Sequence, residues 1–162
     1  MRRSLLLATG GLLGLVGLFV PSCTIATPFA GPGYARRTGV QLQTPRDTVV
    51  LALTSAVLDR AERAPFDRAI GEVADAMPAV DGLVGFSFRK QLFGRRAWTM
   101  SVWEDDAALD AFLRSDVHSS AMRAGGPATV EFRFYSAPIP ASEVPLPWSR
   151  ALALLSEHGS EY

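Results

Sequence analysis

Ala97-Trp98-Thr99-Met100-Ser101-Val102-Trp103-Glu104-Asp105-Asp106 is the stretch that decides the fold. Its first seven residues are rich in aromatic and β-branched types, as a pleated strand requires. Asp105 and Asp106 follow where an N-cap and a first-turn acid belong. Behind them Ala108, Leu109, Phe112, Leu113, Val117, Ala121 and Met122 recur at helical spacing and predict one long helix. Gly125-Gly126-Pro127 ends it.

Outward from this stretch the same reading continues. Gly82 opens a strand over Leu83 to Gln91, and Phe93-Gly94-Arg95 turns it into the strand just quoted. Phe66, Ala69, Ile70, Val73, Ala76 and Met77 predict an earlier helix, with Pro65 in its first turn and Pro78 closing it. Thr48 to Val57 is nearly continuous in apolar character and predicts a central strand. Thr129 to Tyr135 places Val130, Phe132 and Phe134 on one side and Glu131, Arg133 and Tyr135 on the other. Residues 47–137 thus read βαββαβ, an α+β, ferredoxin-like split arrangement: an antiparallel four-stranded sheet with two helices on one face. The other face is then expected to be apolar and bare. A second copy, packed sheet to sheet across a two-fold axis, would cover it and close a dimeric α/β barrel. A homodimer is therefore expected.

The flanks divide into three. Arg2 and Arg3 followed by an apolar run from Leu5 to Val20 have the layout of an export signal or a membrane anchor, assigned to residues 1–23. As a helix, that run spans roughly 24 Å, short of the ~30 Å hydrocarbon core unless it is extended to Phe29. Val20-Pro21-Ser22-Cys23 partly resembles a lipobox, which would make Cys23 the lipid-bearing residue, and the Arg-Arg-Ser-Leu-Leu start resembles a loose twin-arginine signal. Residues 24–46 carry Pro28, Gly31, Pro32, Gly33, Gly39 and Pro45 without an apolar period and read as a linker. Residues 138–162 form a C-terminal extension, proline-rich at first. A short helix follows from Trp148 to Glu157, either packed on the domain edge or lidding a cavity. The expected location is exported or membrane-associated, at the cell envelope.

The 162 residues balance sixteen basic against sixteen acidic side chains, so the basic footprint of a nucleic-acid binder is missing. One cysteine excludes an internal disulfide and a Cys-rich metal site. No phosphate loop, dinucleotide fingerprint, Ser-His-Asp order or metal spacing is present, so motifs name no cofactor and no metal.

Gly82-Leu83-Val84-Gly85, then Trp98 to Asp105, then Ala107 to Met122 with Phe112 and His118, is similar to the antibiotic biosynthesis monooxygenase family of the dimeric α/β-barrel superfamily. The likeness covers residues 47–137. It implies the fold above. Its activities range from cofactor-free oxygenation of polyketide-like phenols through haem degradation and haem binding to no known reaction. Haem-degrading relatives carry a Trp in the second helix and an iron-ligating His ten residues later. Those positions hold Phe112 and Met122 here, so that pattern is broken.

His118, the only histidine of the domain, is the candidate catalytic base, sharing a helical face with Met122. A structural role at the helix–sheet junction, or axial ligation of haem, remains open for it. Trp98 and Trp103 must point to opposite faces of their strand, one toward the second helix and one toward the barrel interior or dimer contact. Trp98, Trp103, Phe112 and Met122 are the expected substrate-binding residues, and core packing is the plainer reading of both tryptophans. Arg89, Lys90, Arg95 and Arg96 could receive an anion or be solvated turn charges. The function expected is monooxygenase-type chemistry on a small hydrophobic or aromatic substrate. The alternative is a non-catalytic envelope module that binds a ligand or haem.

Overall fold

A computed structural model describes residues 23–161; the expectations for residues 1–22 lie outside them. The sheet is built around β4 (Thr48–Leu58), whose apolar residues are buried on both faces. It pairs antiparallel with β6 (Arg96–Trp103) on one side and β7 (Thr129–Pro140) on the other, and β5 (Leu83–Gln91) pairs with β6. α1 (Arg63–Ala76) connects β4 to β5, and Pro78 lies in the 3-10 turn that ends it. The βαββαβ order and the ferredoxin-like α+β arrangement are therefore as expected. Two short strands extend the sheet: β1 (Thr24–Ala26) beside β5 and β8 (Ser160–Glu161) beside β7. The order β1-β5-β6-β4-β7-β8 leaves the sheet open, not closed into a barrel.

The second helix departs from expectation. It is two helices, α2 (Asp106–Leu113) and α3 (Asp116–Gly125), separated at Arg114 and Ser115. Asp105 caps α2 by accepting from the Ala108 amide at 2.9 Å, as its position predicts. Ser115 then restarts the chain as a second N-cap, accepting from the His118 amide at 3.2 Å. The apolar period runs across the break, which hid it; the serine that causes it was the available signal.

Residues 24–46 are not a free linker. Ala30 and Phe86 exchange backbone hydrogen bonds of 3.1 and 2.8 Å, and the Gly33 amide donates to the Val84 carbonyl at 3.0 Å. A Cβ on Gly31 would collide with the Gly85 backbone, so a glycine read as part of a linker is what lets two backbones touch. Beyond them β2 (Tyr34–Ala35) and β3 (Gly39–Val40) make a small hairpin.

That segment changes the assembly argument. The face of the sheet opposite α1, α2 and α3 holds Val49, Leu51, Leu53, Met100 and Val102, and the same chain covers it. Phe29, Tyr34, Val40 and Leu42 pack on it from the N-terminal side. Ala151 and Leu155 of α4 (Trp148–His158) pack on it from the C-terminal side. Ser87, 1% exposed, ties the three parts together. Its hydroxyl donates to the Thr27 carbonyl at 2.7 Å and accepts from the Trp148 indole at 3.2 Å. The bare face that was the ground for a sheet-to-sheet dimer is thus filled within one chain.

Candidate functional site

A cavity of about 910 Å³ lies between the other face of the sheet and helices α1 and α3. Its origin is a size pattern. The central strands present small residues in register: Ala52 opposite Ser101, Thr54 opposite Thr99 and Ala56 opposite Ala97. The outer strands present large ones, Phe86 and Phe88 on β5 and Phe132 and Phe134 on β7. A small floor between tall walls leaves a trough that the helices roof but do not fill. The volume falls in the usual range for small-molecule sites, roughly 300–1,000 Å³.

Few polar atoms meet this space. Thr54 and Thr99 hydrogen-bond to each other through their hydroxyls, and that bond uses only one of the pair's two hydrogens. The Ser101 hydroxyl accepts from the Trp103 indole at 2.9 Å, and its own hydrogen has no acceptor among the described residues. At the rim Lys90 pairs with Asp67 at 3.0 Å.

His118 sits in the first turn of α3 and borders the cavity. Its Nδ1 is 3.0 Å from the Leu113 carbonyl oxygen. A carbonyl can only accept, so Nδ1 carries the proton and Nε2 keeps its lone pair. Nε2 has no hydrogen-bond partner among the described residues. The ring stands edge-on to Phe112 at 5.2 Å. Burial pushes its pKa below 6.5, and the bond to Leu113 opposes that shift without cancelling it.

The expected site residues therefore divide. His118, Phe112 and Met122 meet at the cavity. Trp103 supports them from beneath: it is fully buried and stacks on Phe112 at 4.9 Å, so it is core rather than lining. Trp98 reaches the cavity only by its place on β6. Its ring lies on the opposite face, where the Arg89 guanidinium sits 5.9 Å from Trp98 and 5.9 Å from Trp148. Strand alternation separated the two tryptophans as anticipated, but Trp98 meets α4 of its own chain. α4 is on that face too, so it cannot lid the cavity. Arg95 donates to the Leu58 carbonyl at 2.7 Å, a turn role. Cys23 is exposed at the start of β1. The six floor residues were not anticipated. The alternation of large Val49, Leu51 and Leu53 with small Ala52, Thr54 and Ala56 was visible, but a continuous apolar run masks it.

Among the described residues, no cluster of His, Cys, Asp and Glu has the makings of a metal site, and no helix is long and apolar enough to cross a membrane. Residues 52–124 match the profile of the antibiotic biosynthesis monooxygenase family. No curated protein matches the chain by sequence. Among solved structures, a candidate monooxygenase from Lactobacillus acidophilus NCFM is similar with 13% identity and a TM-score of 0.51, over 59% of this chain and 49% of its own. The match thus spans about half of that protein. A conserved protein from Methanosarcina mazei Go1 gives 10% identity and a TM-score of 0.51, over 58% of this chain and 93% of its own. A candidate antibiotic biosynthesis monooxygenase from Caulobacter crescentus CB15 gives 14% identity and a TM-score of 0.50, over 58% and 90%. At these identities the likeness concerns the fold.

Proposed function

From the antibiotic biosynthesis monooxygenase domain at residues 52–124, we propose that the protein oxygenates a flat, hydrophobic phenol in the cavity between the sheet and α3. The observation that carries this reading is the free Nε2 of His118 beside an apolar space. A base whose pKa burial holds below 6.5 is neutral at pH 7, and beside a buried phenol it can take the proton. The apolar surroundings raise the reactivity of the resulting anion by keeping water away. The phenolate then reduces dioxygen. One oxygen atom enters the ring in place of a C–H hydrogen. The other leaves as water with that hydrogen and the phenolic one, giving a quinone. In this reading the hydroxyls of Thr54, Thr99 and Ser101 hold the substrate's oxygen, which is supported by the hydrogens that the Thr54–Thr99 and Trp103–Ser101 bonds leave over. The apolar run of residues 5–20 supports an envelope location for this chemistry.

The same imidazole geometry supports a second reading. A histidine that ligates a metal usually donates its other ring N–H to a carbonyl, as Nδ1 does here. Haem held by His118 would give a Soret band in freshly purified protein.

The test is oxygen consumption against a panel of polycyclic phenols, with His118→Gln beside the native chain. Gln keeps a hydrogen bond but takes no proton at pH 7, so turnover should fall ~10²-fold or more. Equal turnover by the variant, or no uptake with any phenol, overturns the proposal.

A further inference from the structure

The end of the sheet where β5 turns into β6 carries a group of exposed apolar side chains. Phe93 is 84% exposed and Leu92 43% exposed at the hairpin tip, with Val130 at the start of β7 63% exposed and Ile25 of β1 48% exposed. The tip is held firmly. Arg63 donates to the Gly94 and Gln91 carbonyls at 2.7 and 2.8 Å, and the Leu92 amide donates to the Cys23 carbonyl at 2.9 Å. Arg60, Arg95 and Arg96 are exposed around it, with Asp59, Glu62 and Glu131 as the acids of the same end.

We propose that this end of the domain inserts into a phospholipid bilayer surface, with Phe93 and Leu92 below the headgroups. Three observations choose a membrane over a protein partner. The hairpin is bonded to Cys23, the first described residue, so the chain whose preceding sequence carries the apolar residues 5–20 enters the fold at this end. The patch is a convex tip of a few side chains. A stable dimer needs ~800 Å² per partner, whereas one aromatic with arginines beside it suits an interface that is apolar below and wet above. The charges around the tip are mixed, so the attraction comes from apolar insertion and does not require anionic lipid. Ile25 belongs both to this end and to the cavity lining, which puts a ligand dissolved in the bilayer within reach of the cavity.

The test uses the full chain with Cys23→Ser, reconstituted with phosphatidylcholine vesicles whose acyl chains carry a spin-label quencher. An environment-sensitive fluorophore is attached through Phe93→Cys or, as control, through Ser142→Cys. Ser142 is exposed beside Ala141, which bonds to Asp47 at the opposite end of the sheet. The label at position 93 should shift to the blue and lose most of its emission to the quencher, while the label at 142 reports water. A water-like signal from position 93 in protein that floats with the vesicles overturns the proposal. So does a blue shift that grows with protein concentration in the absence of vesicles, the signature of self-association. Neither outcome depends on turnover, so failure here is separate from failure of the oxygenase reading.

Discussion

His118 is an imidazole with one nitrogen committed and, among the described residues, one free. Because burial lowers its folded pKa below 6.5, the folded chain binds fewer protons than the unfolded chain between those two values. Its contribution to stability is therefore fully present above pH 6.5, and part of it is lost as pH falls from there to the folded value. Denaturant midpoints measured from pH 7.5 to 4.5 should show a fall in this window, and His118→Gln should flatten that part of the curve. Turnover has the same direction: the base form persists below pH 6.5, so the acid limb of the rate profile should lie under that value. Ser115 acts one step away. Ser115→Ala removes the cap of α3 and should cost about 1 kcal/mol by urea titration. It should also move the His118 titration seen by NMR, which a cap unconnected to the ring would leave in place.

At the scale of elements, the cavity depends on β4 and β6 being narrow in the middle. Ala56→Leu places a branched side chain on the floor without touching the opposite face. It should lower affinity for any ligand at least ~10-fold and leave the melting temperature unchanged or higher, since empty apolar space is being filled. Calorimetry with a bound phenol would decide this; undiminished binding would mean the ligand sits elsewhere. Strands, helices and their order were legible in the sequence because period and capping act locally, as Asp105 and Pro78 show. The break at Ser115 was hidden because Leu113 and Val117 keep the apolar rhythm on both sides of it. The floor was hidden because Ala and Thr pass as ordinary strand residues until their neighbours across the sheet are known. The surroundings of the Trp98 ring were hidden for a related reason: alternation separates it from Trp103 but cannot say what waits on the far face.

For the whole molecule, the decisive feature is that residues 24–42 and α4 cover the second face of the sheet. Ser87→Ala should cost about 1 kcal/mol or more in chemical denaturation, because the Thr27 carbonyl and the Trp148 indole would both lose their partner in a half-buried place. The change should also loosen both covers, read as faster amide exchange in residues 27–34 and in α4 together; a local response confined to β5 would count against the shared tie. The order in which these parts are made gives the arrangement a cost in time. Thr48 leaves the ribosome some 110 residues before His158, roughly 5–20 s at ~5–20 residues per second. Through that interval β4 can find β5 and β6, yet Val49, Leu51 and Leu53 wait for a helix that has not been translated. The newborn chain therefore presents a greasy, half-finished sheet to its surroundings, and a chaperone that binds it during those seconds would decide its yield more than any contact of the finished fold.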